Sequence, residues 1–521
     1  RYHNGLQPAE GLLYNNDLGG FRSDGKEYII QLEKNEQTPA PWANVIANHR
    51  FGFIVTESGG GYIWSENSRE NKLSPWSNDP VCDTPGEILY ITDKESREHW
   101  NITPLPIRED EPYIVRHGFG YTVFQHNSHG IEHELIQFVP ENEPVKISIV
   151  RIKNASDKTR NIALTYYVRP VLGISDQYTS RHITTEVSSE GILIARISYN
   201  DEFPECMAFL DAGKSERCTT ADRQLFFGKG SLSNPDALNY NKLPGIHGAG
   251  FDPCMAMQVE VQLKSGETNE ITFMFGMSRD IKEISQLSSK YRDTKNAYIA
   301  LENVKTFWKN TVSTVKSHTP DMAFNFMLNG WLIYQVISCR IWARSAFYQS
   351  GGAYGFRDQL QDSLAIVHIL PELTKQQILK HSSHQFPEGD VQHWWHEQQY
   401  KGTRTRFSDD RLWLPYAVAE YIAATGDYSI LDIETPFIEG NLLEEDEDER
   451  YDKPVVSRLS ASVYEHCIRA IEISLKFGEH GIPLMGSGDW NDGMNTVGNK
   501  GKGESIWLGW FLYSTLNKFK N

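Results

Sequence analysis

The chain has 521 residues and a mass of 59.5 kDa, enough for two to four domains of the usual size, roughly 100–200 residues each. Hydrophobic residues make up 39% and charged residues 23%, a globular balance that excludes a disordered chain. The net charge of −17 weighs against nucleic acid and anionic membrane as main partners, and no apolar run approaches the roughly 18–20 residues that span a bilayer.

The opening residues Arg-Tyr-His-Asn-Gly-Leu lack the basic-then-apolar layout of a signal peptide. Short alternating runs follow. Val145, Ile147 and Ile149 form one, and Ile162, Leu164, Tyr166 and Val168 another, with the polar stretch 154–158 joining them as a hairpin turn would. Met255, Met257, Val259, Val261 and Leu263 alternate again, and Ser265-Gly266-Glu267 turns the chain into Ile271, Phe273 and Phe275. This predicts a large antiparallel β-sandwich over residues 1–278. From Lys282 to Val312 the apolar spacing becomes helical, predicting one or two linker helices over 279–319. From Pro320 the predicted helices are Met322–Arg340, Glu372–Gln385, Asp410–Ala424, Arg458–Phe477 and Ser505–Lys518. Helices in pairs, with elaborate loops between them, predict an α/α toroid over 320–521 whose loops build a pocket. The acidic run Glu444–Glu449 reads as a solvated loop. No internal repeat or phosphate-binding P-loop is present.

The six cysteines are scattered, with no Cys-x-x-Cys pair, and read as reduced thiols. Thirteen Trp and 24 Tyr suit a sugar-binding cleft, although most single rings belong to cores.

Three segments look like pocket builders. In Gly351-Gly352-Ala353-Tyr354-Gly355-Phe356-Arg357-Asp358 the glycines allow close backbone approach, and Arg357 and Asp358 offer donors beside acceptors for a polyhydroxy ring. Asp358 and Asp362 are spaced to share a helix face. A buried Arg–Asp pair at a helix start fits the same residues. The second segment is His393-Trp394-Trp395-His396, running on to Arg404–Asp410. It reads as a sugar-stacking wall. Two His without a third ligand at a suggestive spacing do not predict a metal. Ser408 or Asp409 fits a cap for the following helix. The third is Gly488-Asp489-Trp490-Asn491-Asp492-Gly493, where a carboxylic acid desolvated beside an indole suits a general acid. A turn closed by Asx hydrogen bonds is the alternative.

These strings, together with Thr405–Pro415 and Gln392–His396, resemble the family 94 glycoside phosphorylases, a family that includes cellobiose, chitobiose and 1,2-β-oligoglucan phosphorylases and the C-terminal part of cyclic β-1,2-glucan synthases. The strings Thr38–Asn48, Asn67–Asn71 and Trp76–Pro80 look most like the β-1,2-glucan branch. The resemblance implies a β-sandwich, a helical linker and the first part of an (α/α)₆ barrel. It implies reversible, inverting phosphorolysis of a β-linked glucoside to α-glucose 1-phosphate. Asp492 matches the general acid, and Trp490 a wall of the donor-sugar site. Arg357 and Asp358 match residues that hold donor hydroxyls, and Arg344 matches a further donor-site arginine. Gly352 stands where cellobiose phosphorylases carry an arginine, which argues against cellobiose and for more room.

One acid agrees with the physics. An inverting hydrolase needs a base to activate water, whereas phosphate is already an anionic nucleophile. The family's phosphate donors lie late in the barrel, past this chain's last residue, so the remaining C-terminal part of a longer protein is an expected partner. A half barrel alone would expose large apolar faces. The other expected partners are an oligosaccharide and phosphate, with no nucleic acid and no membrane in this chain, and a homodimer stays open. No cofactor is implied, because phosphate is a substrate, and the expected compartment is the cytoplasm. The leading reading is a β-1,2-oligoglucan phosphorylase. Its rivals are the phosphorylase-like, chain-length-controlling part of a cyclic glucan synthase, an inverting hydrolase, and a non-enzymatic sugar-binding homologue, which would be expected to lack the acid at Asp492.

Overall fold

A computed structural model describes residues 6 and 9–520; most of the opening stretch read above for a leader lies outside the described residues. The chain divides into two compact units, Arg1–Gly352 and Ala353–Asn521.

The first unit is built on two antiparallel sheets. Ile131–Phe138, Val145–Asn154 and Thr268–Ser278 run side by side in the middle of a ten-stranded sheet. Arg160–Val168 is the central strand of a five-stranded sheet, between Pro253–Leu263 and Glu87–Asp93. A three-stranded meander, Ala43–Ala47, Phe51–Thr56 and Gly61–Ser65, accompanies them. Val150, Ile152, Leu164, Tyr166, Val259 and Phe273 are buried in one apolar core, as the period-two spacing requires.

The turn at 154–158 differs from the hairpin reading, and the turn at 265–267 behaves in the same way. Val145–Asn154 does not pair with Arg160–Val168. Each turn instead carries the chain from one sheet to the other, and the two arches pair strand by strand, Val145–Asn154 with Thr268–Ser278 and Arg160–Val168 with Pro253–Leu263. Period two shows which residues face a core, but not which strand lies alongside. Asn154, wholly buried, ties the corners together. Its Nδ2 donates to Lys158 O at 2.7 Å and to Leu263 O at 3.0 Å, and its carbonyl accepts from Gly266 N at 2.8 Å.

Helices Ile281–Tyr291 and Thr294–Thr311 follow the last strand, each opened by an aspartate cap, Asp280 and Asp293. The chain is then helical from Met322 to Ala343, partly with the wider π-type turn. This segment makes hydrogen bonds to residues of the first unit's sheets and turns. Tyr334 Oη donates toward Asn44 Oδ1 at 2.9 Å and Val45 O at 2.8 Å, and Trp331 Nε1 donates to Gly25 O at 2.8 Å.

The second unit gathers helices Phe356–Leu364, Pro371–Ser382, Trp413–Thr425, Val463–Ser474 and Ile506–Phe519. Trp413–Thr425 touches the other four, and Phe356, Leu360, Leu414, Val418, Cys467 and Leu508 form the shared core. Ile506–Phe519 also exposes Trp507, Trp510 and Tyr513. The predicted helix from Arg458 is shorter at its start. Residues Val455–Ser462 form a strand paired with Glu434–Glu439, and helix begins at Val463 after a Ser462 cap. A second small sheet joins Tyr354–Gly355, Gln392–His396, Lys401–Thr405 and Glu449–Asp452. Among the described residues no helix is long and apolar enough to cross a membrane.

Candidate active site

Arg357 organises the site of the second unit. It lies in the first turn of Phe356–Leu364, is 7% exposed, and aims its guanidinium at two carboxylates and a carbonyl. Nη1 lies 3.4 Å from both oxygens of Asp409 and donates to Asp489 O at 3.1 Å; Nη2 pairs with Asp492 Oδ1. Asp409 is wholly buried and also accepts from Trp413 Nε1 at 3.2 Å. Burial first, and the neighbouring Asp410 charge second, push the Asp409 carboxyl upward against the pull of Arg357. The same acids hold the Arg357 guanidinium firmly charged in spite of burial.

Asp409 therefore does not cap a helix, as its place before an apolar run suggested. Its side chain accepts no backbone N–H among the described residues, and Ser408 Oγ donates to Gly488 O at 3.1 Å. The Arg–Asp pairing is real, but its strongest partners, Asp409 and Asp492, are remote in sequence, some 50 and 130 positions away, so adjacency could not reveal it.

The 486–494 loop resolves the roles of its two aspartates. Asp489 Oδ1 accepts from Asn491 N at 2.9 Å, and Oδ2 from Ser505 Oγ at 2.6 Å. Ser505 in turn caps Ile506–Phe519. Asn491 Oδ1 accepts from Gly493 N at 3.1 Å. The Asx-turn alternative thus describes Asp489 and Asn491. Asp492 is left over: its side chain is 53% exposed and its partner is Arg357. Trp490 is also 53% exposed, with Nε1 3.4 Å from Gln361 Oε1, so the indole does not bury Asp492 as expected from their adjacency. The loop is braced from below, since a Cβ on Gly488 would stand 2.6 Å from the Phe407 ring.

Asp358 follows Arg357 and is exposed at the helix N-terminus, where the dipole favours a carboxylate. Arg357, Asp358, Trp490 and Asp492 thus all belong to the second unit. Arg344 belongs to the first. It stands in the left-handed region, φ 48°, at the end of Met322–Ala343, and donates to Ile341 O at 3.0 Å, Trp342 O at 3.1 Å and Gly352 O at 3.2 Å. The bonds to Ile341 and Trp342 close its own helix, and the bond to Gly352 ties down the loop that follows.

The expected aromatic wall is mostly core. Trp395 is wholly buried, stacked between Tyr354 and His384, and His396 is 6% exposed. Trp394 and His393 are half-buried, and His393 Nδ1 donates to Asp410 Oδ2 at 2.8 Å. Gly352 does not open space either. Its φ is +67°, and a Cβ there would stand 2.1 Å from Asn67 Oδ1 and 2.9 Å from Arg69 N.

The chain thus pairs a sheet sandwich with a helical unit in which one half-exposed acid, Asp492, meets a buried arginine, Arg357. Residues 26–294 match the glycosyl hydrolase 94 supersandwich domain, and residues 307–521 match the catalytic domain of the glycosyl hydrolase 94 superfamily. The chain belongs to the glycosyl hydrolase 94 family. It is 41% identical to the cyclic β-(1,2)-glucan synthase NdvB of Rhizobium meliloti (strain 1021), over 97% of this chain and 18% of that protein. It is 26% identical to the N,N′-diacetylchitobiose phosphorylase of Vibrio proteolyticus, over 96% of this chain and 64% of that enzyme. Identity to the solabiose phosphorylase of Paenibacillus borealis is also 26%, over 96% of this chain and 62% of that enzyme. The chain thus spans less than two thirds of the length of these relatives.

Proposed function

We propose that this chain carries the acid and the donor-sugar residues of an inverting phosphorylase that cleaves β-1,2-linked glucooligosaccharides with phosphate to α-glucose 1-phosphate, reversibly. The observation that carries the reading is the division of labour among the acids around Arg357. Asp409 is buried and Asp489 is tied to a helix cap, which leaves Asp492 as the loop carboxyl open to a ligand. A single acid open on that loop suits a reaction whose nucleophile is already anionic. Arg357 and Asp358 supply the donor and acceptor pattern of a sugar's hydroxyls, and Trp490 an exposed ring for its C–H face. In the structure Arg357 Nη2 is paired with Asp492 Oδ1, so a sugar oxygen that takes the Nη2 donor would release Asp492 from that pairing.

The β-1,2 linkage rests on the N-terminal strings and on the 41% identity to a β-(1,2)-glucan synthase. Gly352 no longer contributes, because Asn67 and Arg69 fill the space beside it. The same identity favours one second reading, the phosphorylase-like, chain-length-controlling part of a cyclic glucan synthase. The test is phosphate-dependent release of α-glucose 1-phosphate by the full-length protein from sophorotriose and cellotriose, side by side. Sophorotriose is expected to be better by at least roughly tenfold in kcat/KM, the worth of one or two hydroxyl contacts. Equal rates overturn the linkage, glucose release without phosphate favours a hydrolase, and phosphorolysis confined to long β-1,2 chains favours the synthase reading.

A further inference from the structure

His393 is the polar side chain beside Arg357 and Asp492 that the proposed chemistry leaves without a task. The strand Gln392–His396 carries a bulge: Gln392 faces Arg404 and Trp394 faces Thr403, so His393 has no cross-strand partner. A bulge bends its strand and re-aims the extra side chain, and bulges recur beside active sites. Gln392 and Trp395 are buried, whereas His393 keeps 16% of its side chain exposed. Phe407 packs edge-on against the imidazole, ring centroids 4.7 Å apart. A carboxylate only accepts, so the 2.8 Å bond to Asp410 Oδ2 places a proton on Nδ1. Asp410 is 1% exposed, and its Oδ1 has no hydrogen-bond partner among the described residues. Leaving a buried acceptor unmatched is costly, and such atoms in native proteins call for an explanation. A carboxylate kept in place to orient an imidazole supplies one.

Nε2 of His393 makes no hydrogen bond among the described residues. Burial is the largest single influence and works against a charged ring, but Asp410 and Asp492 together outweigh it, and the ring's affinity for its second proton is raised. The charges acting on it come from Asp410, Asp492 and Arg357, with Asp409 close behind Arg357. Their sum is negative, which repels an anion and suits a neutral hydroxyl.

We infer that His393 is a further substrate-binding residue, donating Nε2–H to a sugar hydroxyl beside Arg357 and Asp492, with Asp410 as its positioning residue. This rests on the sugar-phosphorylase reading of the same site. The test compares the full-length wild type with His393→Ala, His393→Gln and Asp410→Asn, by phosphorolysis kinetics on sophorotriose, calorimetric binding of sophorotriose, and thermal unfolding. His393→Ala is expected to lower kcat/KM roughly tenfold to a hundredfold and to weaken binding at an unchanged melting temperature. His393→Gln, whose amide N–H reaches the place of Nε2, is expected to recover much of that loss. Asp410→Asn is expected to move the alkaline limb of kcat/KM to lower pH, because the ring loses the charge that holds its second proton. Wild-type kinetics and binding in His393→Ala overturn the inference. So does an equal loss in Ala and Gln accompanied by a fall in melting temperature, which marks a structural role. An unmoved alkaline limb in Asp410→Asn overturns the positioning role. If the wild type binds sophorotriose but releases no glucose 1-phosphate, the phosphorylase reading fails, and weaker binding by His393→Ala still upholds this one. If the wild type neither binds nor turns over, both fall.

Discussion

Replacing Arg357 by Met isolates what holds the site together. Two ion pairs are lost, and they are unequal. The Asp492 side chain is 53% exposed, and a pair on so open a carboxylate contributes about 0–1 kcal/mol. Asp409 is wholly buried beside a guanidinium that is 7% exposed, and removing one member of a buried pair costs about 3–5 kcal/mol because the other charge is stranded. The buried limb decides the outcome. For a unit of this size, roughly 2–4 °C per kcal/mol gives a fall of roughly 6–20 °C in melting temperature. The sign of the pH dependence follows from Asp409. A carboxyl whose folded pKa lies above its unfolded value loses stability as pH rises between the two. Burial and Asp410 already place Asp409 in that position, and removing Arg357 moves it further. The deficit is therefore larger at pH 8 than at pH 5. Thermal unfolding of the full-length protein at both pH values measures it, and Arg357→Met combined with Asp409→Asn, which strands no charge, is expected to recover at least half the loss. Equal melting of Arg357→Met and wild type at pH 8, or a deficit that ignores pH, refutes the reasoning.

Asp492→Asn is expected to lower kcat on an unactivated glucan by about 10²–10⁴-fold without moving the melting temperature, and a variant keeping more than about a tenth of wild-type kcat would remove the acid role. Asp358→Ala is expected to lower kcat and kcat/KM together, by about 1.5–3 kcal/mol per charge-assisted bond lost; normal kinetics with a fall in thermal stability would mark it as structural. Gly352→Ala is expected to cost about 1–3 kcal/mol in chemical denaturation, since it combines a left-handed backbone with a Cβ 2.1 Å from Asn67 Oδ1.

What the sequence made legible was periodicity. Alternation ended at Ser278 and helical spacing began near Ile281, where the last sandwich strand meets the first linker helix. Partner choice was not legible. The arches at Asn154 and Gly266 use turn residues that serve a hairpin equally well, and only the packed sheets distinguish the two. Val455–Ser462 is largely exposed, so no apolar rhythm announced it as a strand. At the site, residue types indicated a pocket, but the split between Asp489 and Asp492 depends on Ser505, and the freedom of His393 depends on a one-residue bulge. Pairings between segments so far apart leave no local trace.

The paired arches have a consequence for how the protein is made. Val145 pairs with Gly276 and Val168 with Met255, so the central strands of both sheets wait for partners synthesised roughly 90–130 residues later. On the ribosome, at roughly 5–20 residues per second, strand Val145–Asn154 spends several seconds with one edge unsatisfied. Topologies dominated by such distant pairing fold slowly, because the loop entropy is lost before the contacts repay it. The nascent sandwich thus keeps central strand edges open until residue Ser278 has emerged.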